Sequence, residues 1–145
     1  MADTQVHDIV IHASPDNVWD ALTNGDVTKR YFFGETIVSD WKPGSSWHSV
    51  GPSGSQDVDG MVIEAMAPRR LVVTWHVAYD PALADEQSRV TYEIDPRGPV
   101  CMLTVRHDLE HAPKTAKHVA QGWTIVLSGL KTLLETGRSM PMPEM

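Results

Sequence analysis

Residues 113–137 constrain the fold of this chain more than any other stretch. Ala116, Val119, Ala120, Trp123, Val126, Leu127, Leu130, Leu133 and Leu134 recur there at steps of three and four. That period places them on one face of an α-helix, with Lys114, Lys117, Gln121, Lys131 and Glu135 opposite. Pro113 suits the first turn, where a missing N–H costs nothing, and Gly137 supplies the left-handed residue that closes a helix. The helix would be about 34 Å long. No other segment reads as a long amphipathic helix, so this apolar stripe needs a sheet to lie against. Gly122 and Gly129 fall on nearly the same side of the helix, and each costs about 1 kcal/mol of helix propensity relative to Ala. Either close backbone approach to the sheet or open space for a ligand offsets that cost. The spacing leaves both open.

The chain before the helix changes period. Residues 6–12 read as a strand, with Ile9 and Ile11 on one face. Ser14-Pro15-Asp16-Asn17 starts a helix: Ser14 caps, Pro15 takes the first helical position, and Asp16 suits the positive end of the dipole. Asn24-Gly25 ends it, and Asp26 can cap a second short helix. From residue 33 to 104 the period is two. Strands are expected at 34–38, 47–50, 58–66, 71–77, from Val90 to Ile94 and from Cys101 to His107. Residues 51–55 form a loop, residues 95–99 a turn, and residues 80–87 a polar, mobile loop. Consecutive strands on short turns pair antiparallel. The expected fold is therefore α+β, a helix covering one face of an antiparallel sheet.

With 145 residues the prior is a single domain, its core over 6–137 and a frayed tail at 138–145. A net charge of −7 argues against nucleic acid, because phosphate binding needs clustered Lys and Arg. The lone Cys101 makes no internal disulfide, and a cytoplasmic location is expected. The first residues lack the basic and apolar regions of a signal peptide, and no apolar run is long enough for membrane insertion.

Several motifs carry a resemblance. Ser14-Pro15-x-x-Val18-Trp19-x-Ala21-Leu22-Thr23 resembles the opening signature of the START-like superfamily, also called SRPBCC or helix-grip. Tyr31-Phe32-Phe33-Gly34, Ser39-Asp40-Trp41-Lys42-Pro43-Gly44, Pro68-Arg69-Arg70-Leu71 with Thr74-Trp75, and Gly122-Trp123-x-x-x-Leu127 are similar to the bacterial branch named after the activator of the heat-shock-protein-90 ATPase. The resemblance covers residues 6–137. It implies a curved seven-stranded antiparallel sheet gripping the long C-terminal helix, two short helices after the first strand, and a cavity between helix and sheet. Relatives bind lipids, hormones or polyketides, and a few catalyse cyclisation or hydrolysis. The co-chaperone that names the branch relies on a separate N-terminal domain. This chain is too short to hold one, so chaperone activation does not follow from the name, while a chaperone partner and a stress role stay open.

The candidate chemistry is sparse. His107-Asp108-Leu109-Glu110-His111 fits an H-x-x-E-H metalloprotease pattern, but His107 ends a strand and Pro113 follows His111 closely, so the two His do not share a helical face. No metal and no cofactor are expected. No nucleophile elbow or phosphate loop is present, and Cys101 reads as a small buried hydrophobe. His7, His12 and His118 read as surface residues, and Asp57 and Asp59 as solvated charge on a strand edge. The aromatic residues are more informative: Phe32, Trp47, Trp75, Tyr92 and Trp123, with Met61 and Leu127, are expected to line an apolar pocket. Strand alternation puts His107 beside Leu103 and Val105 near one end of that pocket, either buried with a lowered pKa and as first choice for an acid or base, or half-exposed at the strand end with an ordinary one. Binding of a small, largely apolar molecule is the reading these residues favour. A cyclase- or hydrolase-type enzyme and a protein-interaction module stay open, as does a homodimer through an edge strand.

Overall fold

A computed structural model describes residues 4–143, and the last two residues of the expected tail lie outside it. The elements run β1 (Thr4–Ile11), α1 (Pro15–Thr23), α2 (Gly25–Thr28), β2 (Thr36–Ser39), β3 (Ser46–Val50), β4 (Gln56–Met66), β5 (Arg70–Val77), a single 3-10 turn (Pro81–Leu83), β6 (Ser88–Arg97), β7 (Val100–Asp108) and α3 (Pro113–Thr136). The strands form one antiparallel sheet in the order β1-β7-β6-β5-β4-β3-β2. β1 and β2 are therefore the two edges, and α1 and α2 carry the chain from one to the other. Among the described residues no helix is long and apolar enough to cross a membrane.

Local chemistry sets the helix ends. Ser14 accepts a hydrogen bond from the Asn17 amide, Pro15 opens α1, and the Asn24 side chain caps α2. Gly137 closes α3 at φ 76° with its amide on Leu133 O. The start of α3 has no cap from its own sequence, because Ala112 stands there. Glu86 supplies it from the loop before β6, accepting from the Lys114 and Thr115 amides and the Thr115 hydroxyl. Burial opposes the charge on Glu86, but these bonds outweigh it and hold the carboxyl below the usual range. The loop at 80–87, expected to be polar and mobile, is instead anchored by this buried carboxylate and by buried Leu83.

The core lies between the sheet and the C-terminal half of α3. Trp123, Val126, Leu127, Leu130 and Leu133 are buried there against Leu71, Val73, Trp75 and Val77 of β5 and Cys101, Leu103, Val105 and His107 of β7. Cys101 behaves as a buried hydrophobe, its thiol donating to Ala13 O. Gly129 is a close-approach glycine: a Cβ there would meet Tyr31 Cβ and O at 3.4 Å, so anything larger than Ala collides. Gly122 has the opposite reason, since its Cβ would meet only Phe33 Cε2, at 3.9 Å. The N-terminal half of α3 stands over open space. Lys117 and Gln121, expected on the solvent side, border that space.

Met61 requires a correction. It is 42% exposed on the outer face of β4, whereas Val58 and Val62 are buried. Gly60 fixes this parity. A Cβ there would collide with Thr74 O and with the Trp47 indole, which lies over Gly60 and donates from Nε1 to Thr74 O at 2.9 Å. Gly60 faces in to admit Trp47, and Met61 must face out.

Candidate functional site

The space under α3 is a cavity of about 580 Å³, open to solvent on one side. This falls within the range of about 300–1,000 Å³ typical of small-molecule sites. Its apolar walls come from three places: Phe32 and Phe33 after α2, Val58, Trp75 and Val77 of the sheet, and Val119, Trp123 and Val126 of α3. Phe32, Trp75 and Trp123 form one cluster, with ring centroids 5.7–6.0 Å apart in tilted and edge-to-face pairs. Phe33 adopts φ 54°, a left-handed conformation unusual for a bulky residue, and remains 37% exposed at the cavity lip.

The expected pocket residues thus divide. Phe32, Trp75 and Trp123 border the cavity. Trp47 and Tyr92 lie one layer deeper, beside a void of about 10 Å³ too small to hold a ligand. Leu127 is packed in the core, because its helical position points at the sheet beyond the cavity. Met61 is on the far side of the sheet.

His107 is also corrected. Alternation puts it on the inward face as expected, but it is fully buried rather than at the cavity end. Trp123 Nε1–H donates to its Nδ1 at 3.0 Å, and Ser88 Oγ lies 2.7 Å from its Nε2. The accepted bond assigns the proton to Nε2, which therefore donates to Ser88 Oγ. Burial, and to a lesser extent His7, lowers its pKa to about 3. A neutral imidazole with both nitrogens engaged cannot take the Ser88 proton. This buried Ser–His pair anchors the Trp123 indole and supplies no general base. His7, expected at the surface, is half-buried, and its Nε2 is buried without a partner.

The polar rim has groups the sequence reading left as solvated charge. Glu35 and Asp57 border the cavity from the sheet side. Both carboxylates crowd over Gly51, where any Cβ would collide with Asp57 Oδ2. Burial, then a hydrogen bond shared with Asp57, raises the Glu35 pKa to about 7, and a bond from Ser49 offsets part of this. Glu35 Oε1 is buried without a hydrogen-bond partner, as is Trp75 Nε1 in the adjoining wall. Across the mouth, the Tyr79 hydroxyl is hydrogen-bonded to His118 Nε2 of α3. Burial first, then Asp80, Asp57 and Glu35, raises the Tyr79 pKa. Among the described residues no group of three or more His, Cys, Asp or Glu is placed to hold a metal ion.

The crowded carboxyl has a stability consequence. The folded pKa of Glu35 lies near 7 against an ordinary value of 4.5, so stability present below pH 4.5 is lost as pH rises to 7. Solvent screening at this half-buried site leaves about 1–2 kcal/mol of that effect. Glu35→Gln is expected to gain this much at pH 8 and little at pH 4, read by thermal denaturation. A variant whose pH dependence matches the parent would contradict it.

The comparisons bear on fold and family. The family model described as Activator of Hsp90 ATPase homolog 1-like protein matches residues 12–135. Protein MLL2253 from Mesorhizobium loti is 22% identical, covering 91% of this chain and 96% of its own, with a TM-score of 0.77. CalU16 from Micromonospora echinospora is 21% identical, covering 92% and 77%, at 0.73. The Aha1 dimer from Colwellia psychrerythraea is 22% identical, covering 94% and 98%, at 0.72. No curated protein matches. The sheet, the short helices after β1 and the covering C-terminal helix form the helix-grip architecture of these neighbours. With the family model matching residues 12–135 of 145, the chain belongs to the Activator of Hsp90 ATPase homolog 1-like family.

Proposed function

We propose that this domain binds a small, largely apolar molecule in the cavity under α3. The observation that carries the reading is the cavity itself: about 580 Å³ with Phe32, Trp75 and Trp123 in its walls and Gly122 leaving it open. A helix that served only to cover the sheet would gain from a larger residue at Gly122. Ordered aromatic walls with a few polar atoms are the usual makeup of such sites.

An acid–base enzyme is the second reading, and Glu35 favours it. A carboxyl with pKa about 7 beside a cavity is poised to give or take a proton. His107, the first choice from the sequence, does not fill that role because both ring nitrogens are engaged in the core.

The test of binding is titration with N-phenylnaphthylamine, a neutral apolar fluorophore. Micromolar affinity with quenching of Trp75 and Trp123 emission is expected. Absence of binding to the folded protein would remove the proposal.

A further inference from the structure

We infer that the cavity selects a ligand carrying a basic nitrogen, an aromatic or aliphatic amine whose ammonium sits against Glu35 and Asp57. This deepens the binding proposal and rests on it.

Glu35 and Asp57 face each other over Gly51, and among the described residues no Lys or Arg forms an ion pair with either. Ser49 is the hydroxyl that reaches Glu35, and Glu35 Oε1 remains buried with no donor. A buried acceptor without a donor costs stability, and the carboxyl pair that carries it borders the cavity with no cation to balance it. An ammonium supplies up to three N–H donors and a charge that offsets the crowding of the two carboxyls. The walls fit the same chemistry, because Trp75, Trp123 and Phe32 present π systems that tolerate a cation and pack an apolar body.

The rest of the rim does not reverse this. Among the described residues Lys117 is the one Lys or Arg of the cavity lining, and it is exposed on α3, where a solvated ammonium contributes little. Tyr79 and His118 are occupied with each other. A ligand headed by a carboxylate would meet Glu35 and Asp57 as like charges. Fatty acids and acidic polyketides are therefore disfavoured relative to amines of the same shape.

Proton linkage gives the second signature. Near neutral pH the carboxyl pair holds a proton in the free protein, with Ser49, Tyr79 and Asp80 nearby on the sheet side and Lys117 and His118 facing from α3. An arriving ammonium favours the doubly ionised pair, so binding releases a proton and amine affinity rises from pH 6 to pH 8. Glu35→Gln is the control that isolates the carboxyl pair's part of this pH dependence.

The experiment compares naphthylmethylamine, naphthylmethanol and naphthoic acid, which share one ring and differ in charge, by isothermal titration calorimetry on the full chain. The amine is expected to bind about tenfold tighter than the alcohol, and the acid weakest. Asp57→Asn and Glu35→Gln, both near-isosteric, should bring amine affinity down to that of the alcohol and flatten its pH dependence. Alcohol binding without amine preference, or acid binding best as Lys117 would favour, overturns this inference and leaves the binding proposal standing. Failure of all three probes overturns both.

Discussion

Gly122→Leu is expected to abolish probe binding while leaving the protein folded. The backbone at Gly122 is helical, and a Cβ there meets only Phe33 Cε2 at 3.9 Å. A leucine is therefore admitted without strain and extends into the cavity between Phe33 and Trp123. Affinity for N-phenylnaphthylamine should fall about a hundredfold or more, equivalent to about 2.7 kcal/mol. Stability should rise by up to about 1 kcal/mol from helix propensity. Gly129→Ala is the control, since its Cβ makes an ordinary 3.4 Å contact with Tyr31 outside the cavity lining and should leave binding unchanged. If Gly122→Leu binds the probe as well as the parent, the probe is not in this cavity.

His107→Leu should cost about 4 kcal/mol, a large part of the 5–15 kcal/mol available to a typical domain. The substitution leaves the Trp123 indole N–H and the Ser88 hydroxyl without His107 in a buried site, each loss worth about 1–3 kcal/mol. Urea denaturation measures it. Adding Trp123→Phe to His107→Leu removes one orphaned donor, so the double variant should be more stable than the sum of the two single losses implies. A second readout is pH. The folded pKa near 3 lies below the ordinary value of 6.5, so as pH falls through 6.5 the unfolded chain takes a proton that the folded one refuses. Stability contributed by neutral His107 is therefore lost between pH 6.5 and 3, and His107→Leu should lack that part of the acid slope. A His107→Leu variant of near-parental stability and unchanged acid slope would show that the ring is not held as described.

The fold was legible because its signals are local and periodic. The three-and-four spacing before Gly137 marks α3, the Ser14-Pro15 start marks α1, and alternation in β5 and β7 assigns the correct inward faces. β4 misled because apolar residues occupy both parities, Val58 and Val62 on one and Met61 and Ile63 on the other. Only the cross-strand demand of Trp47 for a glycine partner decides between them. His107 was placed on the right face at the wrong depth, since its partners Ser88 and Trp123 lie on β6 and α3.

The polar rim was not legible for a different reason. Glu35, Asp57, Tyr79 and His118 come from four separate segments, and Tyr79 meets His118 across 39 residues. No short-range pattern distinguishes such groups from solvated surface. One signal was available. Gly122, read as open space, would have placed His118, one turn earlier on the same helical face, at the cavity as well.

The central claim is that the cavity under α3, rather than another apolar surface, receives a small molecule. Intermolecular nuclear Overhauser effects from bound N-phenylnaphthylamine measure this directly. The account predicts contacts from the probe to the indole protons of Trp75 and Trp123 and to the α-protons of Gly122. Contacts instead to Met61, Ile63 and Met66, which are exposed on β4, would contradict it.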